Sequence, residues 1–195
     1  MAPTPASARI GRAAIARALA GFALALAFWF GFRAAYEGVL AAAGESILRA
    51  TERPAVTRLE ARDGEILVER ADFPPGAPRP GLPAADLHFN LVLLAALFAL
   101  DPHPLGGRRV AAFLLACLAL FAVQTAALVF QVRSVYATAL GAWSAAHYGS
   151  AARNFWTGGF HFYEVAGRFA APFAIWWWLR GDGESERGRE RKKRR

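Results

Sequence analysis

Two ionisable side chains stand inside an apolar stretch of this chain. Residues 161–179 read HFYEVAGRFAAPFAIWWWL, long enough to cross a bilayer, yet they carry Glu164 and Arg168. Hydrocarbon tolerates such charges only where they face protein or water and find partners. Four residues apart on a helix, they stack on one face with the acid N-terminal to the base. The pair can fix helix register or a partner interface as a buried ion pair, or it can serve an ion or proton path. His161 lies one turn before Glu164. With His147 and His88 it offers metal-ligand chemistry, but His-x-x-Glu alone is a weak ligand pattern, and neither a metal nor a cofactor is expected. Cys117 is the one cysteine and the weak candidate for a catalytic nucleophile. A thiol enzyme would need His161 or Arg168 to activate it, whereas the flanking Ala116 and Leu118 describe an inert, buried cysteine. No catalytic residue is assigned. The polar residues form a structural or partner-binding cluster of Glu164, Arg168, His161, His147, His88, Gln124 and Gln131.

The elements that must position these residues follow from how the apolar residues cluster. The chain has 195 residues, 55% of them hydrophobic, gathered in long blocks between charged segments, the pattern of a multi-spanning membrane protein. A formal net charge of +8 would suit nucleic acid if it were spread over a domain. Much of it is the tail at residues 187–195, RGRERKKRR, and basic ends of membrane proteins mark the cytoplasmic side. No nucleic-acid partner is expected. A single cysteine forms no intrachain disulfide and says nothing of redox compartment.

In chain order, residues 1–12 form a basic N-terminus and residues 13–32 a first span. That span ends in Phe28, Trp29, Phe30 and Phe32, which suit a membrane interface better than a signal-peptidase site. Ala14, Ala18, Gly21 and Ala25 recur at helical spacing as a close-packing seam. Residues 33–83 form a polar outer segment. Tyr36 opens a helical continuation, and 56–70 read as a β-hairpin, because Asp63-Gly64 between alternating runs signals a type I′ turn. The two-residue turn sets Arg62 opposite Glu65, Leu59 opposite Val68 and Arg58 opposite Glu69. The Pro/Gly-rich residues 73–83 exclude helix and central strand. A short second span at 84–100 is favoured because it puts Arg108-Arg109 on the basic N-terminal side. Residues 101–109 turn back, and 110–132 form a third span whose Cys117, Gln124 and Gln131 repeat every seven residues. Residues 133–160 read as interfacial aromatic helices with a break at Gly158-Gly159, followed by a fourth span, 161–179, and the tail, 180–195.

The expected fold is thus an all-α integral membrane protein of four transmembrane helices with a small periplasmic β-hairpin, both termini cytoplasmic, in a bacterial inner membrane. Threaded this way, the polar intramembrane residues collect toward the outer leaflet.

The N-terminal span, small outer β segment, Phe89-Asn90-Leu91 opening the second span, and Phe162-Tyr163, Gly167-Arg168 and Pro172-Phe173 in the last span together resemble the exosortase H-associated membrane proteins. The resemblance covers most of the chain. It implies a partner of a membrane-embedded exosortase within a system that sorts proteins to the bacterial envelope: an accessory or scaffold subunit in the lipid bilayer, with no catalytic residues to carry over. Exosortases themselves use a cysteine in an Ala-Cys-Ser-Gly-like context. Ala116-Cys117-Leu118-Ala119 departs from it, which leaves a membrane cysteine transpeptidase or protease as the alternative and a small transporter as the third reading.

Overall fold

The computed structural model describes residues 12–73, 76, 79–101 and 106–193. The expected N-terminal segment 1–11, residues 102–105 of the tight turn and the side chains of the basic tail lie outside the described residues.

The fold is mostly helical with one small sheet. Helix α1 spans Arg12–Thr51, strands β1 and β2 span Thr57–Arg62 and Glu65–Arg70, and β3 spans Gly81–Pro83. Short helices α2 (Ala85–His88) and α3 (Asn90–Ala99) precede the long α4 (Gly107–Thr138). Helices α5 (Ala142–His147) and α6 (Ser150–Phe162) lead through a π-helical turn, Tyr163–Gly167, into α7 (Arg168–Lys193). Among the described residues, two helices, α1 and α4, are long and apolar enough to cross a membrane. Four spans were expected. The second block forms two short helices over 85–99, about 22 Å at 1.5 Å per residue, and the last block contains the π turn and charged residues.

Helix α1 is one element because nothing in it stops a helix: it holds no proline, and its aromatic and alanine runs are followed without interruption by Tyr36 and the outer turns. Its two halves differ in surroundings. Over the first half large side chains such as Leu24, Phe28 and Phe30 are exposed, while Glu37, Leu40, Ala41, Gly44 and Leu48 form a buried stripe at helical spacing in the second. The small-residue seam packs on α3: a Cβ at Gly21 would collide with that of Ala99. Glycine is required there because the two helix backbones approach closely.

The hairpin register is the one a two-residue turn dictates, with Arg62 opposite Glu65, Leu59 opposite Val68 and Arg58 opposite Glu69. Asp63 (φ 53°) and Gly64 (φ 83°) both take the left-handed conformation a type I′ turn needs. The Pro/Gly stretch contributes a third strand, β3, antiparallel to β2. Its position at the sheet edge accommodates Pro83, which has no N–H to donate. The expected cross-strand pair of Arg58 with Glu69 gives way to Arg79, which β3 brings to 2.5 Å from Glu69. The sheet's apolar face, Leu59, Ile66 and Val68, is buried in one cluster with Leu40, Leu48 and Leu128. A hairpin that would be marginal alone is therefore held on the outer halves of α1 and α4. A second apolar cluster, Leu94, Phe98, Ala116 and Leu120, joins α3 and α4 at the opposite end, with Ile175 and Trp176 of α7 against it.

The expected break at Gly158-Gly159 is absent, and α6 runs through both residues. Each interior glycine costs a helix about 1 kcal/mol relative to alanine. At Gly159 packing offsets the cost, since a Cβ there would overlap the Phe130 ring of α4. The irregularity falls four residues later, in the π turn, where the Arg168 N–H bonds to the Tyr163 carbonyl.

Gly38 and Gly44 test the two roles of glycine on one helix. A Cβ at Gly38 meets nothing within 4 Å, whereas one at Gly44 would lie 2.7 Å from Leu128 Cδ2. Gly38→Ala should raise stability by about 0.5–1 kcal/mol, and Gly44→Ala should lower it. Thermal unfolding of both variants in detergent checks this; equal shifts would remove the α1–α4 contact from the account.

Candidate functional site

The polar interior of the molecule is built where α1, α2, α3, α4 and the π turn meet. Tyr36 of α1 donates to Oε1 of Gln124 of α4. Gln124 Nε2 donates to Asn90 Oδ1 of α3 at 2.7 Å, and Asn90 Nδ2 donates to the Tyr163 hydroxyl at 3.3 Å. Tyr163 in turn donates to the Leu87 carbonyl at 2.7 Å. Tyr36 opens the chain as a donor, and Gln124, Asn90 and Tyr163 each accept from one neighbour and donate to the next, so the four side chains form one directional chain. Gln124, Asn90 and Tyr163 are buried. The Leu87 carbonyl sits at the junction of α2 and α3, where a helix of four residues ends and the next begins.

A second chain lies beside the first. Trp29 Nε1 donates to His88 Nδ1 at 2.8 Å, and His88 Nε2 faces Glu37 Oε1 at 3.2 Å. Indole N–H is a donor only, so Nδ1 carries no proton and the ring proton sits on Nε2, directed at the carboxyl of Glu37. The His88 and Glu37 side chains are 0% and 4% exposed. The Tyr36 ring meets the His88 ring edge-on at 5.6 Å, so the two chains touch. The arrangement orients an imidazole with a carboxyl group, as acid–base sites do. Both groups are closed off from solvent, and their hydrogen bonds run to the helices they join.

The sequence-selected residues separate into three groups. His88 and Gln124 belong to the interior chains. Gln131, one heptad beyond Gln124, is buried, and its Oε1 has no hydrogen-bond partner. His147 is exposed, stacked on Trp143 at 4.3 Å with Nδ1 against the Trp143 carbonyl, and takes no part in the cluster. Glu164 and Arg168 do not pair with each other. Glu164 Oε2 is 3.1 Å from His161 Nδ1, and Arg168 reaches Asp86 at 3.6 Å. The physical reason is the π turn over Tyr163–Gly167: its wider pitch changes the angle between positions 164 and 168 from that of a regular helix. Cys117 packs beside the Leu94–Leu120 cluster as a free thiol. Among the described residues no group of three or more His, Cys, Asp or Glu side chains could hold a metal ion.

Sequence reading missed Trp29, Tyr36, Glu37, Asn90 and Tyr163 as members of the site. Glu37 carried a signal: it falls three and four residues before Leu40 and Ala41, on the same apolar stripe, where an acid needs a buried partner. Tyr163, next to the selected Glu164, gave none. Its role depends on the π turn, which composition does not announce.

A separate polar cluster ties the outer elements. Glu52 accepts from the Thr57 hydroxyl at 2.6 Å and the Thr57 N–H at 3.1 Å, so Thr57 Oγ1 accepts from Tyr136 OH at 2.8 Å. Arg70 is held between Tyr136 and Trp143, its guanidinium 4.9 and 4.4 Å from the ring centres, and bonds Asp72 with two contacts. Those hydrogen bonds from Arg70 hold the Asp72 carboxyl below its ordinary pKa.

Comparison with protein-family models, with characterised proteins and with solved structures finds no match for the chain.

Trp29→Phe keeps an aromatic ring but leaves His88 Nδ1 buried without a donor. It should cost about 1–3 kcal/mol, measured by thermal unfolding in detergent. Double-mutant cycles separate the charged residues: Asp86→Asn with Arg168→Leu should couple, whereas Glu164→Leu with Arg168→Leu should add within about 0.3–0.5 kcal/mol. Coupling of Glu164 to Arg168 instead would restore the regular-helix pair and contradict the π turn.

Proposed function

We propose that this chain is an accessory or scaffold subunit of a bacterial envelope protein-sorting system of the exosortase type, embedded in the cytoplasmic membrane and without catalysis of its own. In this reading the first part of α1, α2–α3, α4 and residues 161–179 cross the bilayer, both termini are cytoplasmic, and the three-stranded sheet stands in the periplasm.

Exposed apolar surface supports the membrane placement. Leu24, Phe28 and Phe30 of α1, Leu118 of α4 and Phe173 and Trp177 of α7 are all exposed, a surface too large and too apolar for a water-soluble monomer. The observation that carries the scaffold role is the use made of the polar interior. Tyr36, Gln124, Asn90 and Tyr163 bond to one another and to a backbone carbonyl, and Trp29, His88 and Glu37 bond to one another. These groups join helices. The thiol of Cys117 lies against Leu94, Phe98 and Leu120, the environment of an unreactive cysteine. The motifs Phe89-Asn90-Leu91, Phe162-Tyr163 and Gly167-Arg168 that resemble the exosortase-associated family coincide with this interior: Asn90 and Tyr163 are two of its links.

The test is co-expression of the tagged chain with an exosortase and a substrate bearing a C-terminal sorting signal. The chain should co-purify with the exosortase from native membranes, and Cys117→Ala should leave substrate processing unchanged. Loss of processing with Cys117→Ala in correctly inserted protein would favour a thiol transpeptidase, and absence of any complex after crosslinking would overturn the scaffold reading.

A further inference from the structure

The outward face of the π turn carries side chains that neither lipid nor water accommodates together. Phe162, Val165 and Phe169 are 71%, 80% and 55% exposed. Between them stand His161 and Glu164, with side chains 64% and 41% exposed, and Arg168 and Asp86, at 34% and 59%. All lie within about two turns of one helix, except Asp86, which lies in α2. Hydrocarbon around this face would solvate the phenylalanines and strand the carboxylates. Water would do the reverse. A surface of exposed aromatics with an Arg and partly satisfied acids has the composition of a protein interface. The π turn is a second, independent mark, since such turns within α-helices recur at functional sites.

We infer that the face of Phe162, Val165 and Phe169 is the docking surface for a transmembrane helix of a partner protein, and that this helix presents one cationic side chain to Glu164 and Asp86. Charge decides the occupant. Two carboxylates, Glu164 and Asp86, stand against one guanidinium, Arg168, which lies 3.6 Å from Asp86. Glu164 has as its nearest partner only His161, at 3.1 Å. With the His161 imidazole neutral, the face is short of one positive charge, which an Arg or Lys on the incoming helix supplies. A second copy of this chain would bring another carboxylate excess against the first, an unfavourable pairing. The inference rests on the membrane-scaffold reading and names the surface and partner chemistry it requires.

The test uses the full-length chain in phosphatidylcholine vesicles, donor-labelled, with acceptor-labelled synthetic Leu/Ala peptides of about 20 residues, the length that spans the hydrocarbon core. The peptides carry one Arg, one Gln, one Glu or no polar residue, placed one turn inside the outer boundary. Energy transfer should report association of the Arg peptide at least about tenfold tighter than the wholly apolar or the Glu peptide. The paired substitution Glu164→Gln and Asp86→Asn should abolish that preference. Val165→Trp, which adds bulk at an 80% exposed position and leaves the core untouched, should block docking in folded protein. Equal association of all the peptides, a preference for Glu, or transfer between two labelled copies of the chain that the same substitutions abolish would each overturn the inference. If the Arg preference stands while no exosortase co-purifies, the sorting role fails and the docking surface survives.

Discussion

A polar group that leaves water on folding must find a hydrogen-bond partner, and in this molecule that requirement fixes how five elements meet. An unpaired buried donor or acceptor costs about 1–3 kcal/mol, comparable to the net value of many apolar contacts. Tyr36, Gln124, Asn90 and Tyr163 are each satisfied only when α1, α3, α4 and the π turn stand in one arrangement. Apolar packing alone tolerates sliding and rotation of helices. A directional chain of donors and acceptors does not, because a shift of one residue breaks several bonds together. The Trp29–His88–Glu37 chain adds a second constraint beside it, tying α1 to α2 at two points eight residues apart.

The rest of the architecture accommodates these links. The helical run from Ser150 to Lys193 holds the π turn and, further on, Pro172, and it is from the π turn that the Tyr163 hydroxyl reaches both Asn90 and the Leu87 carbonyl. The same turn separates Glu164 from Arg168 and sends each to a different partner. A local backbone irregularity thus serves the interior through Tyr163 and shapes the surface through its neighbours. Above this level the sheet, Glu52, Thr57 and Tyr136 close the end of the molecule where α1 and α4 finish. Below it Gly21 and Ala99 let α1 and α3 approach closely.

Much of the local structure was legible in the sequence for physical reasons. Asp63-Gly64 permits only a narrow set of turns, so strand register followed from two residues. The small residues around Gly21 permit a close helix contact, but alanines recur on other faces of α1 as well, so only the packing of α3 singles this seam out. The last block was misread because hydropathy and i,i+4 spacing presuppose a regular helix, and the π turn removes that premise at Glu164 and Arg168. Gly158-Gly159 looked like a break because glycine destabilises an isolated helix; the Phe130 ring, remote in sequence, supplies the missing contacts. The site itself was half visible. His88 and Gln124 stood out as polar residues in apolar blocks. Trp29, Tyr36 and Tyr163 did not, because aromatic residues are at home there, and only tertiary structure reveals that their polar atoms are the connectors.

The central claim is that the Tyr36–Gln124–Asn90–Tyr163 chain holds its helices as one cooperative unit. Amide hydrogen exchange of the full chain in lipid nanodiscs, comparing the native protein with Gln124→Leu, tests it most directly, because local and shared opening differ in which amides lose protection together. Protection should fall in concert around Tyr36, Asn90 and Tyr163, on three elements other than the one mutated. Loss of protection confined to the turns of α4 flanking Leu128 and Phe121 would contradict the claim and reduce the chain of hydrogen bonds to independent local contacts.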